Sequence, residues 1–462
     1  MQKDSNKIDR RKFIDKSVKV AALASLPFTS LGAKTLKDIT ETPTSKSGKT
    51  RVALVGTGIR GSNSWGKLLL KQFPDTVEMV SLCDINTKRA KYVQGYLEIN
   101  APIYHSDNFA KMIKEAKPEI VIITTPDSFH SKYAIKAMEL GCDVISEKPL
   151  VTESKQAQEL LDAEARTGKK IIIAFNARYG SGEEEMKRIV LSGKLGKIIS
   201  VDFQEMLDVH HGASYYRRWH KFMQYSGSLW LHKASHHFDK MNWIIDSEPE
   251  SVQAFGDLKF YGKNSEFRGI NCRTCNFTKK CQFYMDITKK KSLMNLYVNN
   301  EDVDGYLRDS CVFDNDIDIF DSMHANIKYK NGVVMSYSMD SFMPYEGQKI
   351  SINGDKAKLD LIVNMRQSWD VPAPYEFRLT ENFGKTKTWN VQEREGTHGG
   401  ADHEIRAMIF EKGYKDPLGQ SAGSRAGIMA GLIGVAARES IKSGNTIMID
   451  DMVKFPNKWN WK

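Results

Sequence analysis

The chain has 462 residues, 41% apolar and 27% charged, which is material for two or three ordinary domains with real cores. Its formal charge of +10 is uneven, because residues 1–33 hold seven Lys/Arg against three Asp/Glu and only about +6 is spread over the rest. No basic run is interleaved with aromatics, and no apolar stretch beyond the N-terminus approaches the ~20 residues that cross a bilayer; both facts argue against a nucleic-acid partner or a membrane span.

Arg10-Arg11-Lys12-Phe13-Ile14, followed by the modestly apolar "VAALASLPFTSLGA", reads as a twin-arginine export signal over residues 1–33 with cleavage near Gly32 or Ala33. The expected location is then the periplasm; the competing reading is an ordinary basic N-terminus. Residues 34–49 are rich in Ser, Thr and Lys and read as a linker.

From Arg51 onward short apolar runs alternate with segments of helical period. "RVALV", "VEMVSLC", "EIVIITT", "DVISE" and "KIIIAF" are apolar nearly throughout, as strands of a parallel sheet covered on both faces must be. Residues 50–172 are therefore expected to form a doubly wound α/β domain. Beyond 173 the texture changes to alternation, in "KIISVDFQEML", "ANIKYKNGVVMSYSMD" and "QKISINGDKAKLDLIV", with hairpin turns at Asn331-Gly332 and Asn353-Gly354. This predicts an α+β domain over 173–462 on a largely antiparallel open sheet, with helices around 228–244 and 421–442 covering one face. There are no internal repeats.

The first run leads into Gly56-Thr57-Gly58-Ile59-Arg60-Gly61, a G-x-G-x-x-G turn opening a helix, with Asp84 23 residues beyond its last glycine at the end of the second strand. Glycines at these positions let the backbone approach a pyrophosphate, whose charge then sits at a helix N-terminus. Asp84 would accept from a ribose 2′-hydroxyl and repel a 2′-phosphate, which favours NAD. Lys88 and Arg89 nearby leave room for NADP.

Glu147-Lys148-Pro149 after the fifth strand, Thr125-Pro126 and His130 before it, Asn176-Ala177-Arg178-Tyr179 after the sixth, and the helix "SGSLWLHKASHHFDKMNWII" resemble the glucose–fructose oxidoreductase/inositol dehydrogenase family, Gfo/Idh/MocA. The resemblance runs from Arg51 to the C-terminus. It implies a Rossmann domain joined to a C-terminal α/β domain whose open sheet faces the nicotinamide and mediates homo-oligomers. It also implies that Thr125, Pro126, His130 and Glu147 border the cofactor and that Lys148 lies between nicotinamide and substrate, where burial and a neighbouring cation depress a lysine pKa. His236 matches the family's catalytic histidine and is the expected acid/base. His232 departs, standing where the family usually carries an aspartate, so the carboxylate that orients the relay is missing from the helix.

His232 and His236 are spaced i, i+4 on one helical face, as two metal ligands would be, and His398 in "EGTHGGADHE" is the candidate third ligand for a catalytic divalent metal. The alternative is hydrogen bonding of His232 to sugar hydroxyls or core groups. Tyr216, Arg217 and Trp219 in "VHHGASYYRRWH", together with Arg178 and His398, are candidate substrate contacts, since aromatic rings and forked donors suit a carbohydrate. Cys83 and Cys142 read as small buried hydrophobes. Cys272, Cys275, Cys281 and Cys311, spaced C-x2-C-x5-C-x29-C in an insertion at 262–311, suggest a structural zinc site before an iron–sulfur cluster, with disulfides and then unpaired thiols as the competing readings.

A nicotinamide enzyme exported already folded would carry its cofactor with it, and an NADH formed there has to be reoxidised on the enzyme. The leading expectation is an NAD-dependent oxidoreductase acting on a secondary alcohol of a sugar, glycoside or cyclitol, with tightly held cofactor. The alternative is an NAD-dependent glycosidase that oxidises, eliminates and returns the hydride with no net redox change. A non-catalytic sensor is a third class, against which the presence of both Lys148 and His236 argues.

Overall fold

The protein is described here by a computed structural model covering residues 48–455. The expected export signal at 1–33 and residues 34–47 of the expected linker lie outside the described residues.

Six strands form the first sheet: β1 (Thr50–Val55), β2 (Val77–Asp84), β3 (Ile103–His105), β4 (Ile120–Ile123), β5 (Asp143–Ser146) and β6 (Ile171–Ile173). They run parallel in the order β3-β2-β1-β4-β5-β6. Val52 to Val55 and Ile120 to Ile123 are buried, because helices cover both faces and leave no wet side to alternate toward. The strand order reverses between β1 and β4. Their carboxyl ends therefore splay and open the crevice in which such sheets bind ligands.

Nine strands form the second sheet: β7 (Ile198–Asp208), β8 (Pro249–Asp257), β9 (Ser322–Tyr329), β10 (Val334–Met343), β11 (Glu346–Gly354), β12 (Ala357–Arg366), β13 (Tyr375–Glu381), β14 (Thr386–Val391) and β15 (Ile447–Met448). Their order is β14-β13-β12-β11-β7-β10-β9-β8-β15, antiparallel throughout except for the β7–β10 pair. One face packs on helices Ala234–Ile245 and Ser424–Ser443; the other leaves Phe255, Val334 and Ile362 exposed. The expected α/β domain plus α+β domain with a largely antiparallel open sheet is the observed architecture. The Asn331-Gly332 turn joins β9 to β10, with Gly332 at φ 89°. The second hairpin turns two residues later than expected: Asn353 still pairs with Lys358, and Asp355-Lys356 make the bend.

Helix Ala234–Ile245 is held from below. Phe238, Met241, Ile244 and Ile245 point into the sheet core, where Phe238 meets Tyr337 (ring centroids 5.0 Å apart) and Trp230 (6.3 Å). His237 belongs to the same buried face, bonded to the Tyr337 hydroxyl at 2.8 Å and stacked on Phe203. Its neighbours at the other azimuth, His232 in the preceding short helix Leu229–His232 and His236, are left facing the first sheet.

The insertion packs onto the main core: Phe267 stacks on Phe277, and Phe283 meets the flanking Phe260 and Phe313 edge to face. A single antiparallel bridge, Asn271 to Ser310, closes it.

Candidate functional site

The glycine turn is as tight as its spacing implies. Gly56 has φ 89°, and a Cβ there would lie 2.7 Å from the Thr124 carbonyl; one on Gly61 would lie 2.2 Å from the Gly56 oxygen. The chain then winds through a wide π-type turn, Arg60–Leu68, before the α-helix Leu69–Gln72. Asp84 ends β2 with its carboxylate fully engaged, accepting from the Thr57 amide (2.6 Å) and hydroxyl (2.7 Å), the Asn86 amide (2.8 Å) and Arg89 (2.7 Å). The backbone cradle fits a dinucleotide, and its chemistry for one is the glycine turn itself.

Part of the insertion lies across this turn. The Ile59 N–H donates to the Tyr297 hydroxyl at 2.8 Å, Asn86 donates to the Asn300 carbonyl, and Lys88 and Arg89 pair with Asp302 and Asp304 at 2.8 and 3.1 Å. Nothing in the spacing of the insertion announced these contacts, which join residues more than 200 positions apart.

At the crevice mouth Lys148 donates from Nζ to the His232 carbonyl oxygen at 2.5 Å, and burial pushes its ammonium down to about 8. The imidazoles of His232 and His236 are held well below the usual histidine range, by burial first and then by neighbouring cations including Lys148. The carboxylate missing from the helix comes from the other domain. Asp127, just past Thr125-Pro126 at the end of β4, lies 2.7 Å from His232 Nδ1. Burial raises the Asp127 carboxyl and Lys148 opposes that rise. The sequence reading passed over Asp127, although its place directly behind a buried strand was the available signal. His236 Nδ1 is buried without a partner, and the ring edge rests on Phe175.

Several expected contacts are corrected. His130 is 1% exposed and its ring nitrogens face the carbonyls of Pro149 (2.7 Å) and Thr125 (2.9 Å), so it ties the two loops together from beneath instead of touching a cofactor. Glu147 is taken up by Arg60 (2.5 Å) and the Trp65 indole (2.8 Å). Arg60 also forks onto Asp402 (2.8 and 3.1 Å), which accepts from Asn176 and faces His398 Nδ1 at 2.9 Å. Arg178 is buried in a two-pronged pair with Asp239 (2.7 and 2.6 Å) and is not a substrate contact. Tyr216 is fully buried against the Phe320 carbonyl and Ser341, and Arg217 binds Cys272 Sγ (3.0 Å) and the Phe283 carbonyl, so neither reaches the cleft. Trp219 does border it, stacked on His220 and edge-on to His232.

The metal expectations are corrected too. Among the described residues no three His, Cys, Asp or Glu side chains converge so as to hold a metal ion, either at His232, His236 and His398 or at the four cysteines. All six cysteines are free thiols, so the disulfide alternative is not formed either. Cys275 and Cys311 each accept a backbone N–H at 3.4 Å, and the insertion is held by its phenylalanines and by Arg273 between Asp309 and Glu301.

This geometry has counterparts. Residues 50–175 match the oxidoreductase family with an NAD-binding Rossmann fold, and residues 187–449 match that family's C-terminal alpha/beta domain. The chain belongs to the Gfo/Idh/MocA family. Among Gfo/Idh/MocA relatives, the YteT protein of Bacillus subtilis (strain 168) is 33% identical over 431 residues, 88% of this chain and 99% of that protein. An inositol 2-dehydrogenase of Salmonella typhimurium is 27% identical over 210 residues, covering 44% of this chain and 57% of the relative. In fold, the WlbA dehydrogenase from Bordetella pertussis, solved with NADH and UDP-GlcNAcA, superposes with TM-score 0.59 at 17% identity, over 87% of this chain and 98% of that one. Among the described residues no helix is long and apolar enough to cross a membrane.

Proposed function

We propose that the protein is an NAD-dependent dehydrogenase acting on a secondary alcohol of a sugar, glycoside or cyclitol. The observation that carries this reading is the meeting of Lys148 with a carboxylate-backed imidazole, Asp127–His232, at the crevice mouth. NAD, when bound, supplies the hydride acceptor. The Asp127 carboxylate holds the ring proton on Nδ1 and leaves His232 Nε2 free to take the hydroxyl proton, and the imidazolium that results is stabilised by the same carboxylate. An unpartnered lone pair costs less to bury than an unpartnered N–H, so His236, whose Nδ1 has no partner, carries its proton on Nε2 and donates to the substrate. This moves the base from His236, where the sequence reading put it, to His232. Lys148 as an ammonium stabilises the oxygen as negative charge develops.

NAD is favoured over NADP because the two nearby cations are already neutralised, Arg89 by Asp84 and Asp304 and Lys88 by Asp302. The proposal extends to export on the twin-arginine route with the cofactor held, and to a homo-oligomer formed on the open sheet face. Asp127→Asn is expected to lower kcat by roughly 10²–10⁴ while NADH affinity, read by fluorescence, changes little. Lys148→Met should behave alike. If either variant reduces NAD with a competent sugar at the wild-type rate, the proposal fails. Aglycone release with solvent exchange at C2 and no net NADH would instead establish the oxidation–elimination alternative.

A further inference from the structure

Arg60 meets Glu147 and Asp402, Arg89 meets Asp84 and Asp304, Arg178 meets Asp239, and Arg273 meets Asp309 and Glu301. The buried Arg217 and Arg406 place their donors instead on Cys272 Sγ and the Phe283 carbonyl, and on Gln72 and Ser64. Two arginines beside the cleft have no carboxylate among the described residues and leave donors open. Arg218 spends its donors on Ser214 alone, from Nε to the carbonyl at 2.6 Å and from Nη2 to the hydroxyl at 3.1 Å, with its guanidinium 5.2 Å from the Tyr215 ring centroid. Arg308, from the insertion, makes no hydrogen bond or ion pair among the described residues; its Nε is buried without a partner and its guanidinium lies 5.3 Å from the Tyr297 ring centroid. The two cations face each other closely enough that Arg308, added to burial, pushes Arg218 down to about 10.

Two neighbouring cations without a counter-ion, one of them with a buried and unpartnered Nε, are costly, and a forked donor left open has the shape of a two-oxygen anion. Their position says which molecule brings it. Both arginines act on His220, whose ring is 4.0 Å from that of His232, and Arg218 also acts on His232 and Asp127. Trp219, next to Arg218 in the chain and partly exposed, sets its ring edge-on to His232 in the same wall, a surface suited to the apolar face of a sugar. An anion held there would lie beside the reacting hydroxyl and in reach of that ring.

We infer that Arg218 and Arg308 form a subsite for a carboxylate carried by the substrate itself, so that the preferred substrates are hexuronic acids or hexuronosides in place of neutral hexosides. The inference rests on the dehydrogenase reading of the same cleft and names its substrate class.

The test uses full-length protein loaded with NAD and matched pairs of methyl hexoside and methyl hexuronoside in the gluco, galacto and manno series, with glucose 6-phosphate as a second anion. Single-turnover reduction of bound NAD is followed at 340 nm, hexuronate binding by calorimetry, and NADH affinity by fluorescence, for wild type, Arg218→Gln, Arg308→Gln and Arg308→Lys. The expected result is a hexuronoside preferred at least 30-fold in kcat/KM over its neutral partner. That ratio should collapse toward one in Arg308→Gln, be partly kept in Arg308→Lys, and leave NADH affinity within about twofold. A preference for the neutral hexoside, or for the phosphate over every hexuronate, overturns the inference. So does a tenfold loss of NADH affinity in Arg308→Gln with both sugars affected equally, which would assign the pair to the cofactor's pyrophosphate. Hexuronate binding that depends on Arg308 without hydride transfer from any sugar would uphold the subsite and sink the dehydrogenase reading.

Discussion

At pH 7 the Lys148 amine is charged in a place that disfavours charge. Its folded pKa of about 8 lies below the ~10.4 of a free lysine, so between those values the unfolded chain binds more protons than the folded one. Stability contributed at this site therefore rises as pH climbs from about 8 to 10, and below 8 the group is a standing cost. Lys148→Met is expected to raise unfolding free energy at pH 7 by roughly 1–3 kcal/mol, with the gain fading above pH 10. Denaturant titrations of the cofactor-free protein across that range check it, and a variant less stable than wild type would show that the amine is compensated by a partner. In turnover, the same ionisation gives an alkaline limb near pH 8, which Lys148→Arg should remove because a guanidinium keeps its proton. The family resemblance exposed Lys148 and His236, and the i, i+4 spacing added His232. Asp127 could be read only as a strand-end residue, and Arg218 and Arg308 not at all, because each matters through a contact across the fold, and an unpaired charge looks like any other arginine until its neighbours are known.

Among the elements, the glycine turn was the most legible, since three glycines at that spacing after a buried strand have one economical geometry. A methyl group on Gly61 would meet the Gly56 carbonyl at 2.2 Å and Thr124 Oγ1 at 2.5 Å, backbone and short side chain that have no room to yield. Gly61→Ala is expected to weaken NADH binding more than tenfold in a fluorescence titration. Gly95→Ala, in the helix Thr87–Tyr96 where nothing lies within 4 Å of the added carbon, should instead stabilise by about 0.5–1 kcal/mol and leave binding alone. Equal effects from the two would discredit the steric account. The insertion was the least legible element. Its cysteine spacing suggested a metal, whereas phenylalanine packing and an arginine between two acids hold it together, and neither of those has a period to detect. The Asn353-Gly354 bend was misplaced because strand pairing extended β11 beyond the residues that usually turn.

Over the whole molecule, the shift from continuous to alternating apolar runs marked the passage from one sheet to the other. It left unread how the sheets are joined. Arg60 of the glycine turn and Asn176 beyond β6 both close on Asp402, at the start of helix Ala401–Phe410, where His398 and Arg60, against the effect of burial, hold the carboxyl far below the usual carboxylate range. A depressed carboxylate contributes stability above the unfolded pKa near 4 and loses it as pH falls below. Asp402→Asn should accordingly cost about 2–4 kcal/mol at pH 7 by thermal or chemical unfolding, and less at pH 3. A cost independent of pH would mean that packing, not charge, is what Asp402 supplies.

The segment from Tyr297 to Asp304 lies over the turn that receives a dinucleotide, fastened at its rim by Lys88–Asp302 and Arg89–Asp304. A ligand seated beneath it leaves only as often as that segment lifts. Residence time, set by a strap and not by contact area, then decides whether a coenzyme is borrowed for one turnover or kept for the life of the protein. Because the Lys88–Asp302 clasp is exposed, added salt should shorten that residence.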